Sequence, residues 1–340
     1  MHAAPAHSIP SSRWRHLSPL AMQQIVLLIL LAIGCTVFPL LEPRFLGQRN
    51  VMETLRLTVM VGLLAVALTP VIITGGIDLS VGSVMGLSAV LMDRLWREAH
   101  LPFSAALAIG IGTGIVAGGI NGLLVTRLKI PPLIVTLGTF SLYRGLAEAL
   151  DAVSRKNTGQ VITPAAYPAA FTQIGEGFFL GIPIQVLIFF GVVIAFWILL
   201  HRTVYGRSVF AIGFSEEGSR HAGLPVRARV LAAYVLCGAM SSLAAVIHVS
   251  HYGRPLADVG TWNELRAITA VVLGGTSIFG GRGGIPGTVL ALLLLSVLRT
   301  GLPLVGVTDE MVDIVGGVLL IGSLVVNRLL VKWSAARVMG

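Results

Sequence analysis

Apolar runs separated by short polar turns cover almost the whole chain. They span Met22–Leu41, Leu55–Thr74, Val81–Met92, Phe103–Thr126, Leu133–Leu150, Ile184–Leu200, Val230–Val249, Leu265–Leu273, Gly287–Leu298 and Met311–Val326. A helix of about 20 apolar residues crosses a bilayer. The pattern therefore predicts an all-α polytopic membrane protein with about ten transmembrane helices. The runs beginning at Val81, Leu265 and Gly287 are short, and glycine-broken segments of this kind also read as half-helices. Asp93, Arg94, Arg97 and Glu98 read as a polar loop. The long segment Asp151–Ile182 has no apolar period and reads as extracytoplasmic.

One stretch departs from the pattern. In Val71-Ile-Ile-Thr-Gly-Gly-Ile-Asp-Leu-Ser-Val-Gly-Ser83, Pro70, Gly75, Gly76 and Asp78 interrupt an apolar run. Backbone freed at membrane depth needs protein or water partners, and an intramembrane carboxylate marks a candidate functional site. A tight inter-helix turn with Asp78 or Ser80 capping the next helix accounts for the same residues. A second break, Gly274-Gly-Thr-Ser-Ile-Phe-Gly-Gly-Arg-Gly-Gly284, joins the eighth and ninth runs through Gly274, Gly275, Gly280 and Gly281. Ala270-Val-Val-Leu-Gly-Gly-Thr-Ser-Ile echoes Val71-Ile-Ile-Thr-Gly-Gly-Ile-Asp-Leu, which points to internal duplication. Glycines of the fourth run, three and four residues apart, suit close helix packing.

Composition adds that the bilayer is the solvent, since 55% of the residues are hydrophobic and 11% charged. Cys35 and Cys237 both lie in apolar runs and suggest neither a disulfide nor a metal. The net charge of +9 is spread over the ends of apolar runs, without a patch of stacking aromatics, so nucleic acid is not an expected partner. Alternation from an internal N-terminus puts Arg127, Lys129, the five arginines from Arg202 to Arg229, Arg282 and Arg328 on one side. Basic residues in short loops stay cytoplasmic, so both termini are expected there. The reading is a cytoplasmic tail (1–21), one transmembrane domain (22–331) and a second tail (332–340). Within the basic loop 203–229, Ser215 is placed to cap a short helix opened by Glu216-Glu217 and ended by Gly223 and Pro225. So short a helix needs something packed on it.

The chemistry of catalysis is absent from the pattern. There is no phosphate-binding Gly-x-x-x-x-Gly-Lys-Ser/Thr loop, no His-Glu-x-x-His and no Gly-x-Ser-x-Gly elbow. His248 and His251 lack the further ligands a metal needs. A conduit for a neutral polar solute wants hydroxyls, amides and aromatics. The candidates for its wall are Asp78, Ser80, Asn121, Thr136, Thr139, Tyr143, His248 and Trp262. Structural roles compete with each assignment: back-bonding for the threonines, an interhelical hydrogen bond for Asn121, and interfacial anchoring for Tyr143 and Trp262. A secondary transporter coupled through Asp78 and a membrane enzyme are the rival classes.

Gly75-Gly-Ile-Asp-Leu-Ser-Val-Gly-Ser83, Ile134-Val-Thr-Leu-Gly-Thr139, Gly206-Arg-Ser-Val-Phe-Ala-Ile-Gly213 and Ala270-Val-Val-Leu-Gly-Gly-Thr-Ser-Ile-Phe-Gly-Gly281 resemble the permease subunits of bacterial sugar ABC importers. That family includes ribose, xylose, arabinose, rhamnose and autoinducer-2 systems. Tyr167-Pro-Ala-Ala-Phe-Thr172 and Phe196-Trp-Ile-Leu-Leu-His-Arg-Thr203 are most similar to the autoinducer-2 type. The resemblance implies a bacterial inner-membrane location, a second permease (identical or related), a periplasmic sugar-binding protein and a separate ATPase that binds the ATP. This chain would hold no cofactor. The ATPase-docking residues it implies are Gly206, Arg207, Gly213, Ser215, Glu216, Glu217, Arg220 and Gly223.

Overall fold

The computed structural model describes residues 19–158 and 167–338. Nearly all of the expected tail 1–21, part of the polar segment (159–166) and the last two residues lie outside the described residues. Thirteen α-helices are described: α1 Pro19–Leu41, α2 Gln48–Ile73, α3 Val81–Arg97, α4 Phe103–Arg127, α5 Pro132–Thr158, α6 Ala169–Glu176, α7 Ile184–Arg202, α8 Val204–Phe214, α9 Glu216–His221, α10 Val226–Tyr252, α11 Asn263–Leu273, α12 Ile285–Leu304 and α13 Asp309–Val338. Between α6 and α7, β1 (Phe178–Phe179) and β2 (Ile182–Pro183) pair as a small antiparallel hairpin. Among the described residues, α1, α2, α4, α5, α7, α10 and α12 are long and apolar enough to cross a membrane. At 1.5 Å per residue, α3 reaches about 26 Å and α11 about 16 Å, both short of a hydrocarbon core of about 30 Å.

The bundle is built around α2. This helix is apolar on every side from Gly62 onward, and all of its residues from there to Ile73 are buried. A helix without a polar face belongs in the interior. α10 packs on α4 more extensively than any other pair of elements, and also against α2 and α3. The α4–α10 crossing is backbone on backbone. A Cβ on Gly114 or Gly118 would overlap the carbonyl of Gly238 or Tyr234, and one on Gly238 would overlap the Gly114 carbonyl. Four-residue glycine spacing lines these positions along one face of α4, as the sequence suggested.

Three expectations change. Asp93, Arg94 and Arg97 belong to α3 rather than to a loop, because Arg94–Glu98 (3.0 Å) and Arg97–Asp93 (3.8 Å) pair at helical i,i+4 spacing. The polar segment opens with the last turns of α5, which runs to Thr158 rather than Leu150, and contains α6 and the hairpin. Its apolar residues follow no helical or strand period, yet Tyr167 stacks on Trp96 at 4.8 Å and Phe171 meets Phe103 at 4.8 Å. The Tyr167 hydroxyl donates to the Asp93 carboxylate, and burial first, then that carboxylate, hold the phenol well above its ordinary range. Finally, α10 begins at Val226, straight after Pro225, so the tail of the basic loop is helical.

Candidate functional site at two helix breaks

Both breaks end a helix with the same hydrogen bonds. After α2, the N–H groups of Thr74, Gly75 and Gly76 donate to the carbonyls of Pro70, Ile72 and Val71 at 3.2, 2.9 and 3.0 Å. After α11, those of Gly274, Gly275 and Thr276 donate to Ala270, Val272 and Val271 at 2.9, 3.0 and 3.2 Å. Gly75 (φ 83°) and Gly275 (φ 96°) take the left-handed conformation that such caps require. In sequence the two Gly-Gly pairs align directly; in space Gly75 corresponds to the second glycine of the other pair.

Beyond the first cap, four of the expected wall residues form one buried network. Asp78 Oδ1 accepts from the N–H and hydroxyl of Ser80 at 2.9 and 2.7 Å. Asn121, on α4, donates to Ser80 Oγ at 2.8 Å. Thr136, on α5, is within 3.1 Å of the Ile77 carbonyl and also back-bonds to Pro132. Asp78 thus folds over its own backbone as an Asx turn and ties α4 and α5 to the break. Asp78 and Ser80 are 1% exposed and Asn121 and Thr136 0%, so none of them presents surface in the single chain. Thr139 back-bonds to Val135. Tyr143 is buried and donates to the Ala117 carbonyl at 3.2 Å, so it is no interfacial anchor. His248 lies away from this network, with its ring 4.7 Å from that of Tyr252. Trp262 stands exposed at the start of α11.

The second break reaches back to the first. The N–H of Gly281 donates to the carbonyl of Ile73, the last residue of α2, at 2.9 Å. Gly213, near the end of α8, presses on the same place: a Cβ there would overlap the Ile73 carbonyl and the Gly281 nitrogen. A Cβ on Gly280 would lie 2.7 Å from the Gly213 carbonyl and 3.0 Å from that of Ile73. Gly76 and Gly274 are close-approach positions too, the first against the Tyr234 hydroxyl and the second against the backbone of Gly287.

From this junction α8 leads into α9. Thr203 caps α8 through the Gly206 N–H at 3.4 Å, and the Ser215 hydroxyl caps α9 through the Gly218 N–H at 3.0 Å. Arg220 pairs with Glu216 at 2.6 Å. Arg207, Glu216, Glu217 and Arg220 are exposed, and Gly223 ends the unit with φ 79°. A rigid backbone contact thus joins an exposed, charged helix to both breaks.

Two charged residues stand outside the expected wall: Glu264, and Arg144 of the fifth apolar run. Glu264, in the first turn of α11, is buried with Oε2 unpartnered among the described residues and lies against Gly82. Arg144, on α5, donates to the Ala257 carbonyl at 2.5 Å. Gly82 and Gly86, four residues apart on α3, let residues 257–260 approach closely. That spacing was the available signal.

An all-helical bundle with several membrane-length helices and two glycine-broken ones has the build of a transport permease. Residues 50–324 match the family described as branched-chain amino acid transport system / permease component, and the chain belongs to it. The autoinducer 2 import system permease protein LsrD of Yersinia pseudotuberculosis serotype O:3 (strain YPIII) is 37% identical over 298 residues, covering 88% of this chain and 89% of the relative. LsrD of Yersinia enterocolitica serotype O:8 is also 37% identical over the same shares, and LsrD of Yersinia pestis (strain Pestoides F) is 36% identical. No solved structure matches the chain. The protein is a multi-pass membrane permease of the sugar-importer type, as its motifs suggested.

Proposed function

We propose that this chain forms half of the translocation pathway of an ATP-driven importer for autoinducer-2 or a related monosaccharide. A second permease completes the pathway, a separate ATPase docks on α9 from the cytoplasm, and a periplasmic binding protein delivers the solute. The observation that carries this reading is the junction of Gly213 with Ile73 and Gly281, because a push on α9 then reaches both helix breaks without passing through flexible side chains. ATP drives the change only by favouring the state in which the docked ATPases close. In this reading α13 and the short segments α3 and α11, completed by the glycine breaks beside them, bring the crossings to about ten, the two broken helices are counterparts in a duplicated chain, and both termini are cytoplasmic. The wall role of Asp78, Ser80, Asn121, Thr136, Thr139, Tyr143, His248 and Trp262 belongs to the same proposal. For the buried members it requires another state of the cycle to uncover them.

The test is a flexible insertion after Gly213 in the assembled importer. It should abolish the stimulation of ATP hydrolysis by loaded binding protein while the chain remains in the membrane. Normal stimulation would refute the docking role of α9. Uptake driven by a proton gradient in vesicles without any ATPase would favour a secondary transporter instead.

A further inference from the structure

A cavity of about 590 Å³ lies between α2, α11, α12 and α13, at the end of the bundle opposite α9. Its wall is made of Leu57, Met60, Leu292, Leu295, Leu298 and Leu320 among others. The hydroxyls in that wall are spent inside their own helices. Thr54 donates to Asn50, Thr58 to Thr54, Thr269 to Leu265, Ser296 to Leu292 and Thr300 to Ser296. Away from one charged end the cavity therefore offers few free donors, which suits an apolar chain better than a polyhydroxylated solute.

The charged groups of the lining are Arg266, Arg299 and Asp313. Asp313 Oδ1 accepts from Arg266 Nη2 at 3.3 Å and from Arg299 Nη1 at 3.2 Å. One carboxylate is thus shared by two guanidinium groups, leaving a positive charge over, and Arg266 Nε is buried without a hydrogen-bond partner among the described residues. Glu264, two residues before Arg266, lies outside the lining and against Gly82, so the excess positive charge is that of the lining groups themselves. Leu57, Trp262 and Leu265 line the cavity and are also exposed, so it is open to its surroundings. On α13, Ile314, Val318 and Ile321 are exposed as well, which suits a helix facing hydrocarbon. Tryptophan favours the headgroup level of a bilayer.

We propose that this cavity holds an anionic phospholipid, its phosphate against Arg266 and Arg299 and an acyl chain along the leucine wall. Guanidinium groups bind phosphate through paired, charge-assisted hydrogen bonds, and the apolar wall takes the chain that a free anion lacks. The lipid would hold α13 against α2 and α11.

The experiment uses the detergent-purified chain stripped of bound lipid, with thermal unfolding followed as phosphatidylglycerol, phosphatidylcholine or inorganic phosphate is added. Phosphatidylglycerol should stabilise the chain, and the other two should not. In the double variant R266Q/R299Q the half-saturating concentration should rise at least about tenfold, the loss expected for one charge-assisted contact. Gly317→Leu supplies a second variant, because nothing lies within 4 Å of a Cβ at Gly317 and the side chain has room to fill the cavity. It should block the lipid effect while leaving both arginines in place. Equal stabilisation by phosphatidylcholine or by inorganic phosphate, or an unchanged lipid response in both variants, would overturn the proposal. So would cross-linking of two copies through cysteine at position 317, which would make the cavity an interface between permeases.

Discussion

The carbonyl of Ile73 accepts a hydrogen bond from the N–H of Gly281 at 2.9 Å, joining the end of α2 to the loop that follows α11. Without this bond the Ile73 carbonyl would be one of the unsatisfied groups at a helix C-terminus. Gly213 closes over the same spot. Three segments far apart in the chain therefore share one backbone contact, and a displacement of any of them is felt by the others.

Gly213→Ala tests that contact. The added methyl would overlap the Ile73 carbonyl, and overpacking of this sort costs about 1–3 kcal/mol unless α8 shifts. A shift of α8 should lower solute uptake sharply while leaving near-normal amounts of chain in the membrane. Uptake and immunoblotting of the same cells measure both quantities.

Asp78 separates under two substitutions. Asp78→Asn keeps an oxygen able to accept from Ser80, whereas Asp78→Ala leaves two buried donors without it, at about 1–3 kcal/mol each. The alanine variant should unfold at a clearly lower temperature and the asparagine variant close to the parent. If Asp78→Asn keeps its stability yet loses transport, the negative charge itself serves the cycle.

Glycines of α4 and α10 should divide by what they face. Gly238→Ala drives a methyl into the Gly114 carbonyl and should destabilise the purified protein by about 1–3 kcal/mol. Gly112→Ala meets nothing within 4 Å and should be neutral or slightly stabilising, as alanine favours helix. Thermal unfolding of the two variants side by side gives the comparison.

Tyr167→Phe removes the hydroxyl that satisfies the buried Asp93 while keeping the stack on Trp96. Loss of about 1–3 kcal/mol is expected. Proteolysis within α6 should quicken in parallel, because this hydrogen bond ties the residue just ahead of α6 to α3.

Much of the architecture was readable from local pattern. Hydrophobic runs placed the long helices, since a helix in lipid needs an apolar surface over a fixed length. The cap of α9 was legible in Ser215, Glu216 and Glu217 because capping involves neighbours in the chain. Asn121 was read as an interhelical bond or a wall residue without its partner, Ser80, because partners across helices leave no trace in spacing.

What the sequence alone determined is a membrane-embedded helical permease, interrupted at Gly75–Gly76 and Gly274–Gly275, with a capped charged helix between the two breaks. Helix length, capping and glycine conformation depend on residues a few positions apart, so they are written in order along the chain. Only the tertiary structure decided that Asp78 is enclosed rather than displayed, that Gly213 bears on Ile73 and Gly281, and that Arg266 and Arg299 share one carboxylate beside an apolar cavity. Those relations arise where backbones from distant segments meet at van der Waals range. A missing Cβ permits such a meeting without saying which carbonyl will fill the space.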